Sequence, residues 1–345
     1  MKKARKRKKE QQRARNKVRL TVALVALLVA AASFATVHFV SVRMNQSVSL
    51  PALYSVKEID YQNEDERAQR SKVSFASDLC VTSENVANSA VSLQGDETGA
   101  LFSLDDRAVV YSRNMFDRVY PASVTKILTA VLAIKYGDMD QVVTINWQDL
   151  ELEAGATVCG FRIGDQVKMS ELMRGLLIHS GNDAAKAIAR TVGGSEAAFV
   201  EMMNEELARI GATNSHFTNA SGLHDENHYT TVYDIYLMFH EALQYDLFTN
   251  IMQVSVYDLT YTNADGEEAH VNLDSTDQYL TGIYDPPANV TVLGGKTGTT
   301  DEAGSCLCIE SQNAYGQPYV SIILGAASKD ALYTDMSGLL SLIND

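Results

Sequence analysis

Positive charge is sparse and outnumbered over most of this chain. The 345 residues carry a formal net charge of −14. Residues 1–20 hold eleven Lys or Arg against the single Glu10, a local charge of +10. The remainder is therefore at −24. A body so acidic does not bind nucleic acid or an anionic membrane non-specifically. Internal repeats are missing as well, so nothing suggests a repeat architecture. Cysteine is sparse, at four, and decides little. Cys306 and Cys308 stand two apart on a strand-like run and point the same way, a poor geometry for pairing with each other. A bridge from Cys80 to one of them stays open, as do free buried thiols and the surroundings of Cys159.

Long apolar runs are absent but for one. From Leu20 to Val40 the chain is broken only by Thr, Ser and His38. That length crosses a bilayer, and the basic flank stays on the cytoplasmic side. The expected layout is a basic cytoplasmic tail at 1–19, a membrane-spanning signal anchor at 20–42 and a stalk at 43–76. An extracellular domain at 77–345 follows. A cleaved signal peptide competes, because Ala30-Ala31-Ala32 offers a peptidase small residues. A C-terminal amphipathic anchor and a further β domain after the core are not expected.

Against this acidic background, three short strings carry chemistry. Ser123-Val124-Thr125-Lys126 follows Pro121-Ala122 and precedes the apolar run Ile127–Ile134. The spacing predicts a helix starting at Ser123, with Lys126 on the same face. No other serine in the chain has lysine three places on. Buried beside a second cation, that lysine loses its proton and serves as a base towards the hydroxyl. Ser180-Gly181-Asn182 lies at a predicted turn between helices, where either polar side chain would also serve as an ordinary cap. Lys296-Thr297-Gly298 follows the β-branched run Val290–Leu293, and glycines at such a place admit another backbone close by.

In this order, the strings resemble those of the penicillin-recognising serine enzymes. Within them the match is to the serine D-alanyl-D-alanine carboxypeptidases, the low-molecular-mass penicillin-binding proteins of peptidase family S11. The resemblance runs from about Ser77 to Asp345. It includes Gly99–Ser103, Pro121–Lys126, His179–Ala184, Gly222–Thr230 and Lys296–Gly304. It implies that Ser123 is the acylated nucleophile and Lys126 the proton acceptor, with Ser180 and Asn182 completing a relay. It also implies that Lys296, with Thr297 and Gly298, binds the substrate carboxylate. The backbone N–H groups of Ser123 and Thr299 would form the oxyanion hole. Thr299 stands where the family often has His or an aromatic residue. The implied substrates are peptidoglycan stem peptides ending in D-Ala-D-Ala, with β-lactams as covalent inhibitors and no cofactor or metal.

Three other readings compete with this one. A class A β-lactamase needs a Glu-x-x-Leu-Asn segment between the second and third strings, and neither Glu205-Glu206-Leu207-Ala208 nor Glu241-Ala242-Leu243-Gln244 supplies it. His224-Asp225-Glu226-Asn227-His228 spaces two histidines like a zinc site, but it reads as a loop before a helix and has no third ligand in view. An anchored wall-binding protein without activity would tolerate loss of an essential group, and none is lost.

The expected fold is α+β, of the β-lactamase/transpeptidase-like kind. Strand-like runs at Ser89–Leu93, Gly99–Val110, Val290–Leu293, Ser305–Glu310 and Tyr319–Ala326 predict one antiparallel sheet built from both chain ends. Helical runs at Met169–Leu177, Ala184–Val192, Glu196–Ile210 and Thr231–Leu243 predict an all-helical lobe against it.

Overall fold

Strand β1 (Thr98–Ser103) is buried at all six positions, so it lies in the middle of a sheet covered on both faces. It pairs antiparallel with β2 (Ala108–Arg113) through a turn at residues 104–107, and on its other side with β9 (Pro318–Ala326). Beyond β9 lie β8 (Gly304–Gln312) and then β7 (Thr291–Thr300), giving the order β2-β1-β9-β8-β7. The computed structural model describes residues 78–344. The expected tail at 1–19, span at 20–42 and stalk at 43–76 lie outside the described residues.

Period-two alternation sorts the side chains of this sheet to its two faces. Leu101, Leu307, Ile309 and Ile323 face a small core closed by the C-terminal helix, through Leu332, Tyr333, Met336 and Leu339. Ala100, Phe102, Cys306, Cys308, Val320 and Ile322 face the larger, helical core. At the centre of that core runs α1 (Lys126–Tyr136), whose first eight residues are all buried. A helix apolar on every side is a core helix. Truncating one of its leucines, such as Leu128→Ala, costs about 2–5 kcal/mol.

Around α1 pack α2 (Met169–Leu177), α3 (Asn182–Gly193), α4 (Glu196–Ile210), α5 (Val232–Ala242) and α6 (Asp246–Met252). Helix α4 starts at Ser195, whose hydroxyl accepts from Ala198 N–H, and stops at Gly211 in left-handed backbone. Helix α5 starts the same way at Thr231, which accepts from Asp234 N–H. The C-terminal helix α7 (Lys329–Ser341) begins at Ser328, which accepts from Ala331 N–H.

The lobe expected to be all-helical carries a sheet of its own. Strands β3 (Val142–Thr144), β4 (Gln166–Lys168), β5 (Val256–Thr262) and β6 (Glu268–Asp274) form a second antiparallel sheet in chain order. Two smaller differences accompany it. Residues 89–93 are not a strand, and Gly99–Val110 is a hairpin rather than one run. Among the described residues no helix is long and apolar enough to cross a membrane.

Candidate active site

Ser123 does not open the α-helix. It sits in a 3-10 turn, Ala122–Thr125, and the α-helix begins at Lys126. In a 3-10 turn residues i and i+3 eclipse one another. Lys126 Nζ accordingly lies 2.9 Å from Ser123 Oγ. The same nitrogen donates to Asn182 Oδ1 at 2.6 Å and to the Ser221 carbonyl at 2.7 Å. A neutral amine has two N–H groups and one lone pair. With two fixed acceptors for the N–H groups, the lone pair is left facing the Ser123 hydroxyl.

The amine is 0% exposed. Burial, and then the positive charge of Lys296, hold its pKa well below the ordinary lysine value, while Asp183 pulls the other way. The shift is towards the neutral form, the direction a base towards serine requires.

Asn182 is brought to Lys126 by the start of α3. Its backbone N–H donates to Thr157 O at 2.8 Å. The neighbouring Asp183 carboxylate accepts from the backbone N–H of Cys159 and Gly160. The segment from Thr157 to Gly160 is thus clipped to the helix start. Cys159 lies behind the Ser180–Asn182 turn and does not line the cleft on either side of Ser123. All four cysteines are buried and unpaired. Cys80 instead donates its thiol to Ser103 O.

Strand β7 brings the third string. Lys296 Nζ donates to Ser180 Oγ at 3.0 Å and to Thr297 O at 2.8 Å. Thr297 Oγ1 donates to Thr276 Oγ1 at 2.6 Å. Lys296 is 1% exposed, and burial lowers its pKa to about 7, opposed by the Asp277 carboxylate. Its ammonium therefore stands in the wall behind Ser180. Ser180, the hydroxyl it holds, lines the hollow beside Ser123. Thr297, Gly298 and Thr299 do line the cleft beside Ser123.

Gly298 is where β7 meets the nucleophile turn. A Cβ there would lie 2.8 Å from Ser123 N, 3.0 Å from Ala122 Cβ and 3.0 Å from Pro121 O. Only a residue without a side chain permits that approach. On the other side the loop after α4 closes in. Gly222, at φ +84°, would place a Cβ 1.9 Å from Ala122 O. Asn219 Oδ1 fixes that loop by accepting from Ser221 N and Gly222 N, which aims the Ser221 carbonyl at Lys126. Two non-glycine residues beside the reacting groups hold left-handed backbone, Ala122 (φ 46°) and Ser180 (φ 65°). Each costs about 1–2 kcal/mol, supplied by the packing around them.

The histidine pair resolves differently from a metal site. His228 is 2% exposed and stacks on Phe217 at 4.6 Å and 8°. Its Nδ1 accepts from Thr218 N at 3.1 Å, so the proton is on Nε2, which donates to Thr125 Oγ1 at 2.8 Å. Thr125 passes the bond on to Ala122 O. Both ring nitrogens are thus engaged in holding the nucleophile turn. Among the described residues there is no cluster of His, Cys, Asp or Glu with metal-binding geometry. Glu206 and Glu241 pair with Lys135 and Arg209, away from Ser123. The carbonyl of Ser221 is a site group that no motif in the sequence pointed to, and His228, singled out there only for its zinc-like spacing, instead holds the nucleophile turn.

The class of protein follows from fold and site together: a five-stranded sheet and a helical lobe holding a Ser–Lys–Ser–Lys cluster between them. The Streptomyces K15 DD-transpeptidase has the same fold, with a TM-score of 0.66 over 74% of this chain and 98% of that one, at 23% identity. The family profile described as D-alanyl-D-alanine carboxypeptidase, peptidase S11, matches residues 96–328. The chain belongs to that family. D-alanyl-D-alanine carboxypeptidase DacF of Bacillus subtilis is 29% identical over 235 residues, 67% of this chain and 58% of the relative. D-alanyl-D-alanine carboxypeptidase DacB2 of Mycobacterium tuberculosis is 30% identical over 209 residues, 60% of this chain and 67% of the relative. The chain thus spans between half and two thirds of the length of these relatives.

Proposed function

We propose that the protein is a serine D-alanyl-D-alanine carboxypeptidase. It removes the terminal D-Ala from peptidoglycan stem peptides through an acyl-enzyme on Ser123, and β-lactams trap it at that stage. One observation carries this reading: Lys126 Nζ lies 2.9 Å from Ser123 Oγ, fully buried, with Asn182 Oδ1 and Ser221 O taking its two N–H groups.

The steps follow from that geometry. Lys126 takes the Ser123 proton as Oγ bonds to the penultimate D-Ala carbonyl carbon. The oxyanion rests on the N–H groups of Ser123 and Thr299. Lys296 donates to Ser180 Oγ, which leaves the Ser180 proton free to turn into the cleft. That proton goes to the departing D-Ala nitrogen as the C–N bond breaks, and Ser180 is reprotonated from Lys126. Water then attacks the ester and gives a proton to Lys126, which returns it to Ser123 Oγ as the acyl–oxygen bond breaks and the shortened peptide leaves.

Residues 20–42 act as a single-pass signal anchor, with the catalytic domain held outside the cell by a stalk at 43–76. The basic tail and the uninterrupted apolar length support this. Release after cleavage near Ala30–Ala32 is the competing outcome. Fractionation and N-terminal sequencing of the mature protein separate the two.

The catalytic reading is tested by following free D-alanine from a peptide ending in D-Ala-D-Ala. The intact protein releases it and Ser123→Ala does not. Release that survives the substitution refutes the assignment of the nucleophile.

A further inference from the structure

A groove leaves the nucleophile along helix α3. Asn182, at the start of that helix, lines a hollow beside Ser123. Lys186, one turn on, lines a second hollow, which shares Glu153, Leu223 and His224 with the first. Arg190, a further turn on, lines a third, which shares Glu151, Lys186 and Glu196 with the second. At a rise of about 1.5 Å per residue, the helix covers about 12 Å from Asn182 to Arg190.

The third hollow holds Trp147, the single tryptophan of the chain. Tryptophan is on average a well-buried residue, yet this one is 60% exposed. The backbone beneath it is fixed. Trp147 opens a 3-10 turn, Trp147–Leu150, capped by the Asn146 side chain, which accepts from Gln148 N and Asp149 N. The Asp149 carboxylate accepts from Asn146 N, and from Arg190 Nε and Nη2 at 2.8 Å each, so the turn is pinned to α3. The other walls include Gln148, Glu151, Ser195 and Glu196.

A rigid aromatic face among amide, hydroxyl and carboxylate groups suits a pyranose. The C–H face of the sugar lies on the indole, and its hydroxyl and acetamido groups meet the polar rim. An anionic ligand suits it less, because the nearby cations are already paired, Arg190 with Asp149 and Lys186 with Glu196.

We propose that the groove along α3 ends in a sugar subsite built on Trp147, which binds the glycan strand of peptidoglycan while the stem peptide lies over Ser123. The inference rests on the carboxypeptidase reading above. In a pentapeptide stem about three residues part the penultimate D-Ala from the sugar, and extended they span roughly 10–11 Å. That is close to the length the helix provides. The enzyme is thereby fitted to stems still attached to their glycan, in preference to free peptides.

The test compares a pentapeptide ending in D-Ala-D-Ala, free and attached to its disaccharide. The intact protein turns over the attached peptide with a kcat/KM roughly 3–10-fold higher, mostly through KM, as one aromatic contact implies. Trp147→Ala brings the attached peptide down to the rate of the free one, and Trp147→Phe keeps most of the advantage. Tm stays unchanged in both, because the side chain is exposed. In Ser123→Ala, which does not turn over, tryptophan emission reports this subsite alone, since the chain has no second indole. The attached peptide shifts that emission saturably and the free peptide does not. Equal kcat/KM for the two peptides in the intact protein overturns the subsite, as does an advantage that survives Trp147→Ala. An intact protein that turns over neither peptide overturns the carboxypeptidase reading, and the emission titration then decides the subsite by itself.

Discussion

Replacing Gly298 by alanine tests how closely β7 and the nucleophile turn must fit. The added Cβ would stand 2.8 Å from Ser123 N, 3.0 Å from Ala122 Cβ and 3.0 Å from Pro121 O, where ordinary contact begins at 3.4 Å. Two of the three neighbours are backbone and the third is a Cβ, so none can yield by rotating a side chain. Strand and turn must part by about 0.5 Å. Gly298 is not in left-handed backbone, so alanine adds no conformational strain of its own. Overpacking of this kind costs about 1–3 kcal/mol. For a chain of this size that lowers Tm by roughly 2–10 °C.

The kinetic loss is the larger effect. The atom pushed aside is the Ser123 amide, the proposed oxyanion donor, and losing one such donor costs about 10²–10³-fold in rate. Gly298→Ala should therefore fold, lose a few degrees of Tm, and acylate about 10²-fold more slowly. Stopped-flow acylation by a fluorescent penicillin, with calorimetry alongside, measures both. Acylation within about threefold of wild type would refute the close-approach reasoning.

Lys126→Met keeps the volume of the buried stem and removes the base. Acylation should fall by about 10²–10⁴-fold, and the variant should stay folded by circular dichroism; acylation within tenfold of wild type contradicts the role given to Lys126. Stability should fall in mild acid because of His228. Burial lowers its pKa from 6.5 to about 3. Below pH 6.5 the unfolded chain binds a proton that the folded chain refuses, so stability is full above 6.5 and is lost progressively down to about 3. The greatest loss from this one group is about 5 kcal/mol. A conservative His228→Gln variant should show a flatter denaturation midpoint between pH 7 and 4.5. An unchanged slope refutes the buried-neutral assignment.

Much of the site was legible in the sequence because its parts lie in short strings whose internal spacing does geometric work. Ser123 and Lys126 met as expected, although through a 3-10 turn instead of an α-helical face. That difference was not readable, because the turn's shape is set from outside, by His228 through Thr125 and by Gly222 against Ala122. Ser221 contributes only a carbonyl, which leaves no signature in side-chain chemistry. The depth of Lys296 was not readable either: only the folded chain shows its side chain buried against Ser180.

The sheet assembled from both chain ends followed from runs of β-branched and apolar residues. The second sheet was missed for lack of such runs. Strands β3 and β4 have three residues each, with one buried, too short for any period to show. Strand β5 does alternate, and Asn263-Ala264-Asp265-Gly266 marks its turn into β6, so there the signal was present and unread. Helix α7 likewise shows Leu332, Tyr333, Met336, Leu339 and Leu340 at helical spacing behind a serine cap.

The most direct test of the Ser123–Lys126 chemistry is intact-mass spectrometry after brief exposure to benzylpenicillin, followed by peptide mapping. One covalent adduct per chain is predicted, on the peptide that contains Ser123, and none in Ser123→Ala. An adduct on any other residue, or none in the intact protein, would contradict it.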